Sequence, residues 1–262
     1  MLQQSILNFQ FAGKGPNLLL LHGFCEDSTI WNNFIPELSR NYCVIIPDLP
    51  GFGNSEYLKS SSIEEMSDSV CLVLQKMGAS QFVVVGHSMG GYVALALAEK
   101  HPDAIKGLML FHSTSLSDCD QKRKDRETAI GSIKQYGTRP FLSGFFNKLF
   151  RENNTPNFTK IKDELKSRTM ELPAEGIINA INAMMIRPDR SCLLKHLTCP
   201  IGFIAGDQDE FLPLSKTIEE SSYPDTSVIH ILRGAGHAGM FEQYDETLKM
   251  VSNFTKFCYE VA

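Results

Sequence analysis

Long apolar runs and a basic leader are both missing from this chain of 262 residues. Residues 1–6 lack the basic and apolar stretches of a secretory signal, and no later segment is apolar over the roughly 20 residues that cross a bilayer. We therefore expect a cytoplasmic protein that has no membrane partner.

The cysteines are scattered along the chain without a regular spacing. The seven cysteines are odd in number and none stands in C-x-x-C spacing, which argues against both a disulfide framework and a zinc site. We expect reduced thiols and no bound metal.

Excess positive charge is also absent, since the net charge is −5. This balance argues against nucleic acid as a partner. The charge is nevertheless uneven: residues 119–196 hold 15 basic and 9 acidic side chains, a net charge of +6, which leaves −11 for the remainder. Solvated helix faces could produce this split, and so could a surface that attracts an acidic substrate or carrier.

Strand and helix patterns alternate along most of the chain. A hydrophobic content of 43% suffices for one large α/β domain with an insertion. The alternation stops between Ser115 and His196, where four helical runs follow one another. The sequence thus predicts a mostly parallel, doubly wound sheet from 1–114 and 197–262, with an inserted helical cap, or lid, at 115–196. The predicted strands are 5–11, 17–22, 42–46, 82–85, 107–111, 201–205 and 227–232.

The most informative stretch is Gly86-His87-Ser88-Met89-Gly90. It follows the buried strand 82–85 and opens a helix rich in alanine and leucine. Glycines on both sides of a serine permit a sharp turn that exposes its hydroxyl group, which is the G-x-S-x-G nucleophile elbow. Ser88 is therefore the candidate nucleophile.

A serine nucleophile needs an imidazole base and a carboxylate that orients the base. His237 follows the last predicted strand, and both Asp207 and Asp209 follow the strand before it. Loops after parallel strands emerge at one edge of a sheet, so these groups can meet Ser88. The order serine, acid, histidine is that of the α/β-hydrolase triad.

Taken together, these motifs resemble the capped serine hydrolases of the α/β-hydrolase superfamily, which are esterase- or lipase-like. The resemblance implies that Asp209 rather than Asp207 is the triad acid and that the backbone N–H groups of Phe24 and Met89 form an oxyanion hole. It also implies that no cofactor is needed and that the remaining histidines, among them His87 and His112, are structural. The matching motifs are His22-Gly23-Phe24, the loop 48–55, the elbow, Gly206 to Pro213 and Gly236-His237.

We expect hydrolysis of a carboxylic ester, thioester or lactone of a small to medium apolar acyl substrate through an acyl-serine intermediate. Two alternatives stay open: a C–C bond hydrolase or lyase that binds an acidic substrate through Arg187 and Arg190, and a ligand receptor with a slow triad. The partner is a small molecule, and the protein is a monomer or a homodimer. The expected substrate contacts are Trp31, Phe141, Phe145, Phe146, Met184 and Arg187.

Overall fold

The computed structural model describes residues 7–58, 62–150 and 156–261, so positions 5 and 6 of the first predicted strand lie outside the described residues. Within these ranges seven strands form one sheet in the order β1-β3-β2-β4-β5-β6-β7. The strands are β1 (Phe9–Ala12), β2 (Asn17–Leu21), β3 (Cys43–Pro47), β4 (Phe82–His87), β5 (Ile105–Phe111), β6 (Ile201–Gly206) and β7 (Ser227–Leu232).

All neighbouring strands of the sheet run parallel except β1 and β3. These two are antiparallel, with Phe9 opposite Pro47. The turn after β1 therefore leads to a strand two places away and does not close a hairpin. Parallel strands buried on both faces are built from continuous apolar runs, and every residue of β4 and β6 is buried.

The helices occupy most of the runs that have helical periodicity. They are α1 (Ile35–Leu38), α2 (Ile63–Met77), α3 (Met89–Lys100), α4 (Asp120–Tyr136), α5 (Thr138–Leu149), α6 (Pro156–Met170), α7 (Ala174–Ile186), α8 (Ser191–Leu194), α9 (Leu214–Glu220), α10 (Gly239–Glu242) and α11 (Tyr244–Val261). None of the described helices is long and apolar enough to cross a membrane.

Local chemistry explains where individual helices start and stop. The Ser62 side chain accepts a hydrogen bond from Glu65 N while the Glu65 carboxylate accepts one from Ser62 N, so α2 begins with a capping box. Residues 28–38 form two short elements, a 3-10 turn at Ser28–Trp31 and the four-residue α1. Pro36 stands in the first turn of α1 and has no N–H group with which to continue a helix from the preceding residues.

Helices α4 to α8 all lie between β5 and β6, in the segment expected to form the cap. Their apolar faces carry buried side chains such as Ile133, Leu142 and Ile181. The segment leaves the sheet at the carboxyl end of β5, beside the carboxyl end of β4, and re-enters it at the amino end of the parallel strand β6.

Candidate active site

Ser88 stands on a strained turn between β4 and α3. Its φ angle is 49°, a left-handed conformation that is rare for residues with a side chain. The chain is also tightly packed here, because a Cβ atom on Gly86 would lie 2.4 Å from the Gly90 carbonyl oxygen, and one on Gly90 would lie 2.6 Å from the His22 carbonyl oxygen. Only glycine fits at both positions, which explains the spacing seen in the sequence.

Ser88, His237 and Asp209 form a continuous hydrogen-bonded chain. His237 Nδ1 lies 2.7 Å from Asp209 Oδ2, and His237 Nε2 lies 2.9 Å from Ser88 Oγ. A carboxylate only accepts hydrogen bonds, so Nδ1 carries the proton and Nε2 is left to accept the Ser88 hydroxyl. This arrangement can take a proton from the serine as its oxygen attacks a carbonyl carbon.

The two aspartates that follow β6 have different partners. Asp209 Oδ1 accepts hydrogen bonds from the backbone of Phe211 (2.8 Å) and Leu212 (3.1 Å), which turns its other oxygen toward His237. Asp207 Oδ1 instead accepts from Gly234 N at 2.7 Å and braces the loop after β7. Geometry therefore brings Asp209, and not Asp207, to the imidazole.

His112 is a neighbour of Asp209 that the sequence did not single out. It directly follows β5, and its Nδ1 lies 3.1 Å from the same Asp209 Oδ2 that faces His237. Burial lowers the pKa of His112 to about 4 against the opposing effect of the Asp209 carboxylate, so the ring is neutral and Nδ1 donates. His112 was expected to be structural, and the structure places it in contact with the acid of the site. Its position at the carboxyl end of a strand next to β4 was the available signal for this contact.

Asp209 is held as a carboxylate. Burial alone would raise its pKa, but the charge of His237 and the hydrogen bonds from His112 and His237 outweigh burial and hold the pKa well below its usual range. A permanently ionised acid fixes the tautomer of His237 and can stabilise the imidazolium that forms during reaction.

The cluster of His112, Asp209 and His237 also has the ligand types that a metal ion uses, with ligating atoms within 4.8 Å of one another. Their spacing is already explained by two hydrogen bonds to one carboxylate oxygen, and the second His237 nitrogen is engaged with Ser88. Hydrogen bonding within the protein therefore suffices to explain why these three residues lie together.

Backbone donors flank the nucleophile. Met89 is the first residue of α3, and the first N–H groups of a helix have no partner within the helix. Phe24 lies in the loop after β2, and it lines the same cavity as Ser88. A negative oxygen beside Ser88 would therefore meet the positive end of α3.

The cavity over Ser88 has a volume of about 670 Å³. One part of its wall is apolar and the other is charged. The apolar side chains are Phe24, Ala129, Pro140, Phe141, Phe145, Ile181, Met184, Phe211 and Leu212, and the charged ones are Lys122, Asp125, Arg126, Lys148 and Glu210. A second cavity of about 810 Å³ is lined by residues within 26–29 and 48–57, from the loops after β2 and β3, and within 168–173, but neither Ser88 nor His237 lines it.

Of the residues expected to contact the substrate, Phe141, Phe145 and Met184 line the cavity, whereas Trp31 and Phe146 do not. Trp31 is fully buried beside Phe111 of β5, with ring centroids 5.9 Å apart, so it belongs to the core beneath the site. Phe146 is fully buried on the inner face of α5. Aromatic neighbours on a helix point in different directions, which composition alone does not resolve.

Arg187, also an expected substrate contact, does not line the cavity. Its guanidinium donates to Asp118 Oδ1 at 2.7 Å and to the carbonyl oxygens of Met184 and Leu116, and it stacks 3.9 Å from the Tyr92 ring. Arg190 is likewise buried, in ion pairs with Glu64 and Glu99. Both arginines are paired with acids of the protein, which removes these two contacts from the acidic-substrate alternative. Its other basis, the basic charge of residues 115–196, is represented in the cavity wall by Lys122 and Lys148.

Known proteins resemble the chain over nearly its whole length. The family profile described as alpha/beta hydrolase fold matches residues 16–244. A pimeloyl-[acyl-carrier protein] methyl ester esterase of Legionella pneumophila (strain Paris) is 27% identical over 252 residues, covering 93% of this chain and 97% of that protein.

Two solved structures extend the comparison. A thermophilic esterase from Thermogutta terrifontis superposes with a TM-score of 0.90 at 28% identity, covering 96% of this chain and 93% of that one. The enol-lactonase from Burkholderia xenovorans LB400 has a TM-score of 0.87 at 20% identity, with 95% of each chain covered, and so shares the fold.

Proposed function

The chain belongs to the α/β-hydrolase fold family and is an ester-hydrolysing enzyme, and we propose that it is a serine esterase for small to medium apolar acyl groups. The observation that carries the proposal is the hydrogen-bonded chain from Ser88 Oγ through His237 to Asp209, which ends at the wall of a cavity with an apolar side. Thioesters and lactones present the same carbonyl chemistry.

Acylation begins when Ser88 Oγ attacks the ester carbonyl carbon and passes its proton to His237 Nε2. The carbonyl oxygen becomes negatively charged and accepts hydrogen bonds from Phe24 N–H and Met89 N–H, each worth about 3 kcal/mol in the transition state. The tetrahedral intermediate then collapses, and the bond to the alcohol oxygen breaks as His237 returns the proton to it.

Deacylation repeats these steps with water. His237 takes a proton from a water molecule, whose oxygen attacks the acyl carbon, and then protonates Ser88 Oγ as the carboxylic acid leaves. Asp209 remains ionised throughout, in agreement with its lowered pKa.

The acyl group is assigned to the apolar side of the cavity. Phe141, Phe145 and Met184 come from α5 and α7, and the rings of Phe24 and Phe145 meet edge to face at 5.4 Å. Burying a CH₂ group contributes about 0.8 kcal/mol, so kcat/KM should rise with acyl length until this space is filled. Methyl and other short-alkyl esters belong in the test panel because the Legionella relative is named for a methyl ester.

Labelling with a fluorophosphonate followed by peptide mapping tests the nucleophile without a known substrate. We expect one modified residue, Ser88, and no labelling of Ser88→Ala. Ser113→Ala is the matched control, because Ser113 also lines the cavity but its hydroxyl donates to the Ser88 carbonyl oxygen at 2.7 Å. Labelling on Ser113, or full esterase activity in Ser88→Ala, would disprove the proposal.

A further inference from the structure

A buried acid and a buried histidine meet directly beneath the elbow. Glu26 Oε2 lies 2.8 Å from His87 Nδ1, and the two residues are 2% and 0% exposed. His87 precedes Ser88 in the elbow, and Glu26 stands two residues after Phe24 in the loop that follows β2. Neither residue has a part in the steps described above.

This pair joins the three segments that carry the catalytic groups. Glu26 Oε2 also accepts a hydrogen bond from Gly23 N at 2.6 Å, and His87 Nε2 lies 2.9 Å from the carbonyl oxygen of His237. The elbow, the Phe24 loop and the His237 loop therefore share one network. A Cβ atom on Gly23 would lie 2.7 Å from Glu26 Oε2 and 2.8 Å from His87 Nδ1, so only glycine lets the loop close over the pair.

The partners of the His87 ring determine its protonation. Both ring nitrogens face oxygen atoms: a carboxylate oxygen of Glu26, and the carbonyl oxygen of His237, which can only accept. A neutral imidazole has one N–H group and cannot donate to both. A neutral ring facing ionised Glu26 would thus leave one nitrogen lone pair against an oxygen at less than 3 Å in a water-free site, which is costly.

We propose that His87 is a permanent imidazolium and that its ion pair with Glu26 is a positioning device, which holds Phe24 and His237 in place around Ser88. The charge state rests on the contacts of both ring nitrogens and on an ionised Glu26, whereas the positioning role rests on the proposed function.

The surroundings of His87 agree with this assignment. Burial would lower the pKa of His87, but the Glu26 charge and the hydrogen bonds to Glu26 and His237 raise it, with a further contribution from Asp209. Burial would correspondingly raise the pKa of Glu26, and the charge of His87 lowers it. The other ionisable groups that face the ring are His237 and the neutral His112, with centroids 5.1 and 6.0 Å away.

A positive charge on His87 also affects the base. The rings of His87 and His237 lie 5.1 Å apart, so a charge on His87 repels a positive charge that forms on His237. Loss of the His87 charge would remove this repulsion and would leave the Glu26 carboxylate without its partner.

NMR of the histidine ring nitrogens in the wild-type protein tests the charge state directly. We expect one histidine with both ring nitrogens protonated at neutral pH and above, resistant to titration, and assigned to His87 by its loss in His87→Gln. Where that variant does not fold, proximity to the Phe111 ring, whose centroid is 5.9 Å away, gives the assignment. A singly protonated His87 at neutral pH would overturn the proposal.

Kinetics test the positioning role. In His87→Gln we expect kcat to fall about 10- to 100-fold through misplacement of the reacting groups. We also expect the acid limb of the kcat/KM profile to move up by at least about half a pH unit. His101→Gln is the control, because His101 is exposed and distant from the elbow, and it should match the wild type.

A merely structural role would lower kcat without moving the acid limb, and that result would refute the positioning role. The outcomes are separable from failure of the proposed function. If His87 is doubly protonated but Ser88 is not labelled by a fluorophosphonate, the proposed ion pair stands and the proposed esterase function fails.

Discussion

Replacing Asp118 by asparagine should strongly destabilise the protein. Asp118 precedes α4, and its fully buried carboxylate pairs with Arg126 of α4 and with Arg187 at the end of α7, the latter at 2.7 Å. The Arg187 side chain is 3% exposed, so its charge has no access to water once the carboxylate is gone. Arg126 and Met184 also line the cavity, which links this cluster to the substrate site.

The magnitude follows from the burial of each partner. Removing one member of a buried ion pair costs about 3–5 kcal/mol. Asparagine retains one oxygen that can accept from Arg187, and the Arg126 side chain is 16% exposed and can be hydrated, so we expect about 2–4 kcal/mol. At an m-value near 3 kcal/mol per molar urea, the unfolding midpoint should fall by about 1 M.

Urea unfolding provides the assay, with fluorescence of the single, buried Trp31 reporting the core and far-UV circular dichroism reporting the helices. Asp120→Asn is the matched control, since the Asp120 side chain is 94% exposed and its replacement removes only a surface ion pair with Arg123 at 3.7 Å. The control should unfold like the wild type. If Asp118→Asn has the same unfolding midpoint in urea as the control, buried charge pairing does not hold α4 and α7 together and the reasoning fails.

Further changes test the site. Ser88→Ala should leave the circular dichroism unchanged and lower the rate at least about a thousandfold, and an unchanged rate would exclude the acyl-serine path. Asp209→Asn should lower kcat by about 10⁴, because an amide no longer fixes the tautomer of His237, and single-turnover assays would measure it. Phe145→Ala should penalise longer acyl esters more than acetate, while Phe146→Ala should affect stability more than chain-length preference; equal effects of both on the preference would contradict the cavity assignment. Between about pH 6.5 and pH 4, His112 takes up a proton in the unfolded chain but not in the folded protein, so the free energy of unfolding should decrease as the pH is lowered through this window. In His112→Gln the urea midpoint should depend less on pH within the same window.

Much of the fold could be predicted from the sequence because each strand carries its own signal. Buried parallel strands are continuous apolar runs, and the capping box of α2 and the glycines of the elbow are local chemical requirements. The positions of Ser88, Asp209 and His237 at the ends of strands follow from the parallel topology, which places them at one edge.

Other features depend on contacts between distant residues and carry no local signal. In the sequence, Glu26 has no feature that distinguishes it from other polar loop residues. Its contact with His87 arises only in the fold, because the two residues are 61 positions apart. Similarly, Trp31 and Phe145 are both aromatic residues near a predicted site, but only the packing shows that Trp31 faces the core and Phe145 the cavity. Composition indicates that apolar side chains will be buried, but it does not indicate which surface they will pack against.

The uneven charge has a structural explanation that a count of residues cannot supply. Segment 119–196 carries +6 and the remainder −11, and four of its arginines pair with acids of the remainder. Arg126 and Arg187 pair with Asp118, Arg168 pairs with Asp27 at 2.8 Å, and Arg190 pairs with Glu64 and Glu99. The pairs of Arg168 and Arg190 connect the helices after β5 to the loop after β2, to α2 and to α3. At least part of the charge separation therefore attracts one part of the molecule to the other and is not available to a substrate. Added salt should accordingly weaken the partly exposed ion pair between Arg168 and Asp27 and lower the urea midpoint, while kcat/KM for neutral esters stays nearly unchanged. A salt effect confined to kcat/KM would show that the basic segment acts on the ligand instead.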